Sequence, residues 1–304
     1  MATVPPFRSM VVKDRKDHRE EPLEYYDLTG LTTGQLHKLS LLVMQEIGSL
    51  VKAGAKKPPA AGLLDSVVMV VMLMRRNGTQ AAAAAHFHCS QPTVSRRWDL
   101  LRPVIGRVLA PYVLDPVQVL GREGTALVDG TVCPVWDWSA IPDLFSGKAK
   151  YTGMNVQIAC NLKGDVAAIG PVPVHGARHD AYAFEASGLK EILEQSIASG
   201  DTGADLGYIG VDGIGIVPFK RLSGAELFDW QREFNTIFGK IHAAVEHAVA
   251  KVKTWRMLSR EGGRYRCPID KFESMLAAVT GLFFFPEAGG RRWGDVAGRC
   301  MRPR

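Results

Sequence analysis

The chain has 304 residues, of which 46% are hydrophobic and 22% charged, so it can bury a sizeable core in one large or two smaller domains. Its formal net charge of +6 suits an anionic partner such as nucleic acid without requiring one. Five scattered cysteines with no CxxC pair exclude a disulfide framework or a structural zinc site, and fit a reducing cytoplasm.

Residues 1–24 are charged and Pro-containing and read as a flexible arm. The opening Met-Ala-Thr-Val-Pro-Pro lacks a basic region followed by an apolar one, so no secretory signal is expected. From Thr32 or Thr33, either of which can cap, Leu36, Leu39, Leu42, Val43 and Ile47 recur at helical spacing. Gly54 and Pro58-Pro59 break the pattern. A second helix, Leu63 to Arg76, ends at Asn77-Gly78; its apolar run is too short to span a bilayer.

Thr79 to Leu101 predicts a helix-turn-helix. A small-residue helix, Gln80 to Phe87, lets a second helix pack closely across it, with Ser90 as its cap and Val94 as the plug. Thr93, Ser95, Arg96 and Arg97 then face outward, toward base edges and phosphates of a major groove. His88 stands where such turns often carry Gly, in a backbone conformation that His tolerates. The bland alternative is an ordinary helix pair with a solvated Arg-Arg face.

Residues 102–124 read as a Pro/Gly-containing linker with one short helix. The apolar run Ala126-Leu127-Val128 then predicts a strand buried on both faces, with Asp129 emerging at its end. Taken alone, Asp129-Gly130 reads as a simple turn. Tyr151 to Cys160 alternates as a strand, Asn161 to Asp165 turns, and Val166 to Val174 returns. A helix follows around Ala181 to Leu193. Asp205 is again a carboxylate at a strand end before a glycine turn, with Asp201 and Asp212 as competitors that spacing does not exclude. Ile214 to Phe219 reads as a further strand.

A long helix spans about Glu226 to Leu258, with a break expected near Gly239. Ile241, Val245, Ala248, Val249 and Val252 form its apolar stripe. Glu246 borders that stripe and Lys253 lies two turns on; a solvent-facing Glu with a basic neighbour is the bland reading. His175 and His179 stand four residues apart but in an expected loop, and His242 and His247 have the wrong helical spacing for one ligand face, so all four read as structural groups or DNA contacts and not as a zinc site.

Together these pieces resemble a DDE transposase of bacterial insertion sequences, in the branch related to Harbinger transposases. The matching letters are Val128-Asp129-Gly130-Thr131, Lys148 to Gln157, Gly176 to Asp180, Ala204 to Gly210, Phe234-Asn235, Val245 to Ala248 and Lys251 to Arg256. The resemblance implies an α/β protein: an N-terminal all-α helix-turn-helix domain (25–115), an RNase H-like mixed-sheet catalytic domain (116–288) and a basic tail (289–304). It implies that Asp129, Asp205 and Glu246 are catalytic and hold two Mg²⁺ or Mn²⁺ ions, and that Lys148 and Lys253 contact DNA phosphates. The partner implied is double-stranded DNA, both terminal repeats and target, bound by at least a dimer in the nucleoid-bearing cytoplasm. Two other classes remain: a decayed or domesticated transposase that only binds DNA, and a helix-turn-helix regulator with a small-ligand domain, whose acids would be scattered.

Overall fold

The computed structural model describes residues 25–52, 62–121, 124–136, 140–197 and 201–286; the expected arm, the break after the first long helix and the tail lie outside these residues. The chain divides into two compact units between Val108 and Leu109.

The first unit is helical: α1 (Tyr25–Thr29), α2 (Thr33–Lys52), α3 (Leu63–Arg76), α4 (Gln80–His86) and α5, which runs from Gln91 to Leu109. Thr32 is the cap of α2. Its hydroxyl accepts from the Gln35 amide at 3.3 Å, and the Gln35 side chain accepts from the Thr32 amide at 2.8 Å. Helix α3 is buried along Val67 to Val71, which explains its unbroken apolar run, and Asn77 ends it at φ 51. Between α4 and α5, His88 takes the left-handed position at φ 49. The Cys89 amide donates to Ala84 O and the His88 amide to Ala85 O, so the orphan carbonyls of α4 are satisfied without a glycine. Ala83, Val94 and Trp98 are buried at the corner, as the small-residue and plug pattern anticipates.

The expected linker from residue 102 is corrected. Helix α5 continues through Pro103 to Leu109. Pro103 removes one backbone hydrogen bond, but Leu101, Val104, Ile105 and Leu109 keep a buried stripe that outweighs it.

The second unit contains α6 (Pro116–Leu120), β1 (Ala126–Pro134), β2 (Phe145–Ser146), β3 (Tyr151–Cys160), β4 (Val166–Ile169), β5 (Val174–His175), α7 (Asp180–Ala186), α8 (Leu189–Glu194), β6 (Thr202–Ala204), α9 (Asp229–Lys253) and α10 (Phe272–Phe284). The sheet is mixed, in the order β2-β3-β1-β6, with β4 and β5 also pairing β3. Strand β1 is central, antiparallel to β3 and parallel to β6. Ala126, Val128 and Ala204 pack into a core with Phe184, Leu189, Leu193 and Tyr208, which places α7 and α8 on one face. The alternating residue Leu127 points the other way, toward Phe238 of α9: a Cβ added at Gly203 would lie 3.2 Å from the Phe238 ring and 3.3 Å from Leu127.

Several sequence expectations change here. Strand β1 does not end at Asp129 but runs five residues further, because β3 pairs with it along its whole length, to Pro134. The return strand breaks after Ile169, and the helix near 181–193 is two helices separated by Gly188 at φ 75. Ile214 to Phe219 is not a strand; its ladder with β6 is the isolated Gly203–Ile216 bridge, and Pro218 has no amide to extend it. Helix α9 passes Gly239 unbroken, and its buried stripe is Phe238, Val245, Ala248 and Val252, with Ile241 exposed.

Candidate active site

The parallel pairing of β1 with β6 builds the site. Val128 is in register with Ala204, so Asp129 and Asp205 are each one residue beyond the same rung. Neighbouring strands lie about 5 Å apart, which brings the two carboxylates side by side although they are far apart in sequence. Beyond that rung the strands diverge. β1 continues, while Asp205 caps a 3-10 turn, Leu206–Tyr208, its Oδ1 accepting from the Gly207 amide at 2.8 Å. Asp129 Oδ1 accepts from the Gly130 amide at 2.8 Å. In each acid one oxygen is thus pinned by the backbone.

Burial pushes the Asp129 carboxyl up to about 6, and the charges of Asp205 and Asp180 add to the rise; the Gly130 amide and His242 oppose it. His242 of α9 lies over this strand, its Nε2 3.3 Å from Val128 O and its ring against Phe238. Closely placed carboxylates with oxygen-only donor sets and more negative charge than their surroundings offset suit a hard divalent cation.

Of the expected site residues, the structure brings together Asp129 and Asp205. Asp212 is instead exposed and paired with Lys190 at 2.8 Å, and Asp201 precedes β6, where its carbonyl accepts from the Ala126 amide. Glu246 is exposed on α9, one turn beyond His242, and makes no ion pair or hydrogen bond to either aspartate among the described residues. Nor do any three His, Cys, Asp or Glu side chains among those residues stand close enough to hold a metal as they are. Lys148 is exposed and pairs with Asp180 at 3.2 Å, and it feels the charges of Asp205 and Asp129. Lys253 lies farther along α9. Its charge reaches Cys133 of β1, where it opposes the burial that pushes that thiol up to about 12.

Asp180 was not singled out by the sequence. It begins α7, and its carboxylate is wedged between the two acid-bearing segments: a Cβ added at Gly130 would lie 2.5 Å from Asp180 Oδ1, and one at Gly207 3.6 Å from Oδ2. The available signal was the pair Asn155 and Gln157, two amides at alternate positions of an otherwise apolar strand, which need a buried polar partner.

In the helical unit, Arg96 is exposed on α5, while Thr93, Ser95 and Arg97 are half-buried. The Thr93 hydroxyl lies 2.9 Å from that of Ser90. Gln91, at the start of α5, donates to Gln80 at the start of α4 at 2.6 Å.

The family model described as DDE superfamily endonuclease matches residues 128–283, slightly over half of the chain. The chain belongs to this family. The match begins one residue before Asp129 and takes in Asp180, Asp205 and Glu246, so this DDE superfamily region contains every acid discussed above. A protein of Streptomyces albus G, named as the candidate transposase of insertion sequence element IS112, is 29% identical over 239 residues, which cover 78% of this chain and 86% of the relative. No solved structure matches. No helix among the described residues of this DDE superfamily member is long and apolar enough to cross a membrane.

Proposed function

We propose that the chain is the DNA transposase of an insertion sequence, with an RNase H-like catalytic unit. The observation that carries this reading is the Val128–Ala204 register, in which Asp129 and Asp205 each follow the same rung of two parallel neighbours. Membership of the DDE superfamily and the similarity to the IS112 protein support it.

Asp129, Asp205 and Glu246 are the proposed triad. Glu246 is the third member because α9 covers the face toward which Leu127 and Asp129 alternate, and His242, one turn earlier, already touches β1. Two Mg²⁺ or Mn²⁺ ions held by these residues would supply charge stabilisation to the attacking and leaving oxygens of an in-line phosphodiester displacement. The backbone amides of Gly130 and Gly207 orient the two aspartates before substrate arrives, and Lys148 and Lys253 meet DNA phosphates. The reactions are hydrolysis of a strand at the element end and attack of the freed 3′-hydroxyl on target DNA. Arg96 and Arg97, with Thr93 and Ser95, bind the terminal repeats through α5. Joining two ends requires at least two copies on the double-stranded DNA of the nucleoid.

The test is Mg²⁺- or Mn²⁺-dependent nicking of DNA carrying the element's ends, wild type beside Asp205→Asn. Loss of about 10³-fold or more is expected, since several kcal/mol of transition-state stabilisation disappears. End binding without cleavage in any metal would instead identify a protein that only binds DNA. Cleavage that survives Asp205→Asn but not Asp201→Asn would move the second carboxylate.

A further inference from the structure

The second unit contains a directed string of buried hydrogen bonds. Tyr208 Oη donates to Gln157 Oε1 at 2.7 Å, Gln157 Nε2 to Asn155 Oδ1 at 2.9 Å, and Asn155 Nδ2 to Asp180 Oδ1 at 2.9 Å. Gln157 is wholly buried and Asn155 is 2% exposed. Burying two amides is costly unless their polar groups are satisfied, so this arrangement calls for its own explanation.

Its direction supplies one. Every link donates toward Asp180, so the string needs a terminal group that only accepts. Asp180 accepts twice, from Asn155 at Oδ1 and from Lys148 at Oδ2. An asparagine there offers one oxygen, and its NH₂ group would face either the Asn155 amide or the Lys148 ammonium, donor against donor. The string also has fixed neighbours. It begins at Tyr208, three residues after Asp205, and passes Gly130, directly after Asp129. A Cβ at Gly130 would lie 2.4 Å from Gln157 Nε2, 2.5 Å from Asp180 Oδ1 and 2.9 Å from Asn155 Oδ1. Gly130 is paired with Gln157, so the string runs on the α7 face, opposite to the direction of the Asp129 side chain.

We propose that Asp180 is a positioning residue that, through Asn155, Gln157 and Tyr208, braces the Asp129 and Asp205 segments at the spacing required for metal binding. It acts from behind the site. The proposal rests on the metal-dependent reading above and adds to it a residue outside the proposed triad. It also accounts for Gly130, whose lack of a side chain admits the string.

The experiment measures Mn²⁺ binding to the full chain, by the electron paramagnetic resonance signal of free Mn²⁺, beside nicking as a function of Mn²⁺ concentration and gel-shift binding of end DNA. Asp180→Asn is expected to weaken Mn²⁺ binding about 10- to 100-fold, as loss of an orienting partner behind a metal site does, with end binding unchanged. Tyr208→Phe removes only a hydroxyl and preserves the core, so it tests the string in a folded protein; it shifts Mn²⁺ affinity in the same direction by less. The double variant is expected to match Asp180→Asn alone, because both changes break one string. Asp180→Asn in a Lys148→Met background should keep the loss, which separates the string from the ammonium it releases.

Asp129→Asn tells the two levels apart. If it loses Mn²⁺ and nicking while Asp180→Asn and Tyr208→Phe retain both, the bracing role is wrong and the site stands. If Asp129→Asn binds Mn²⁺ as wild type does, or wild type binds none, the site reading fails and the bracing role fails with it. A lower melting temperature in Asp180→Asn with wild-type Mn²⁺ dependence would reduce Asp180 to a structural role and overturn the proposal.

Discussion

Asp129 has conflicting demands at the scale of a single residue. Its backbone is fixed in a central strand, and its carboxyl is partly buried beside Asp205 and Asp180. Ionising it therefore costs the folded state more than the unfolded chain. With a folded pKa raised from the ordinary carboxylate value to about 6, the associated stability is fully present below the unfolded pKa and is lost as pH rises through 6. The loss above pH 6 is up to about 3 kcal/mol, from roughly 1.4 kcal/mol per pH unit. Asp129→Asn is expected to melt at a higher temperature than wild type in chelator at pH 8, with a smaller gain at pH 5. Equal shifts at both values would show that the carboxylate is relaxed. The strand-then-acid pattern offered Asp129 as a candidate but not its charge environment, because Asp205 reaches it only through strand pairing and Asp180 only through the packing of α7.

At the scale of elements, helices with strong local signals were readable: the Thr32 cap, the Asn77 stop and the His88 corner are each short-range hydrogen-bond arrangements. Elements whose limits rest on Pro and Gly run differently in the structure. Pro103 and Gly239 weaken a helix locally, by about 3 and 1 kcal/mol, and packing of the stripes in α5 and α9 offsets such costs. The α9 stripe was displaced for a related reason, since periodicity admits Ile241 or Phe238 and only contact with Gly203 and Leu127 selects Phe238. For α5 the proposed role predicts electrostatics. Arg96→Ala and Arg97→Ala should each weaken binding to end DNA and reduce the slope of log K against log salt by about 1, as loss of one phosphate contact does. Gel shifts over a range of KCl concentrations measure this; an unchanged slope would remove these arginines from the phosphate backbone.

For the molecule as a whole, the proposed metal site links function to stability. Uncompensated charge at Asp129, beside Asp205, is a penalty in the metal-free fold and an affinity for cations. Mg²⁺ at about 100 times its dissociation constant should stabilise the protein by about 2.7 kcal/mol, reversed by chelator and absent in Asp129→Asn. Thermal melts with and without Mg²⁺ read this directly. No shift at saturating metal would argue that these acids do not bind it in the free protein.

By itself the sequence determined the helical first unit with its corner, the strand–hairpin–helix order of the second, and the candidates Asp129 and Asp205. The elements rest on periodicity or capping within a few residues, and the two acids on the family resemblance. Only the tertiary structure decided that Val128 stands in register with Ala204, which of Asp201, Asp205 and Asp212 meets Asp129, and that Asp180 closes a string begun at Tyr208. Parallel strands cannot be joined by a tight turn, so the register of β1 and β6 depends on the packing of everything between them in sequence, strands β2 to β5 and helices α7 and α8. No local pattern in the sequence carries that register.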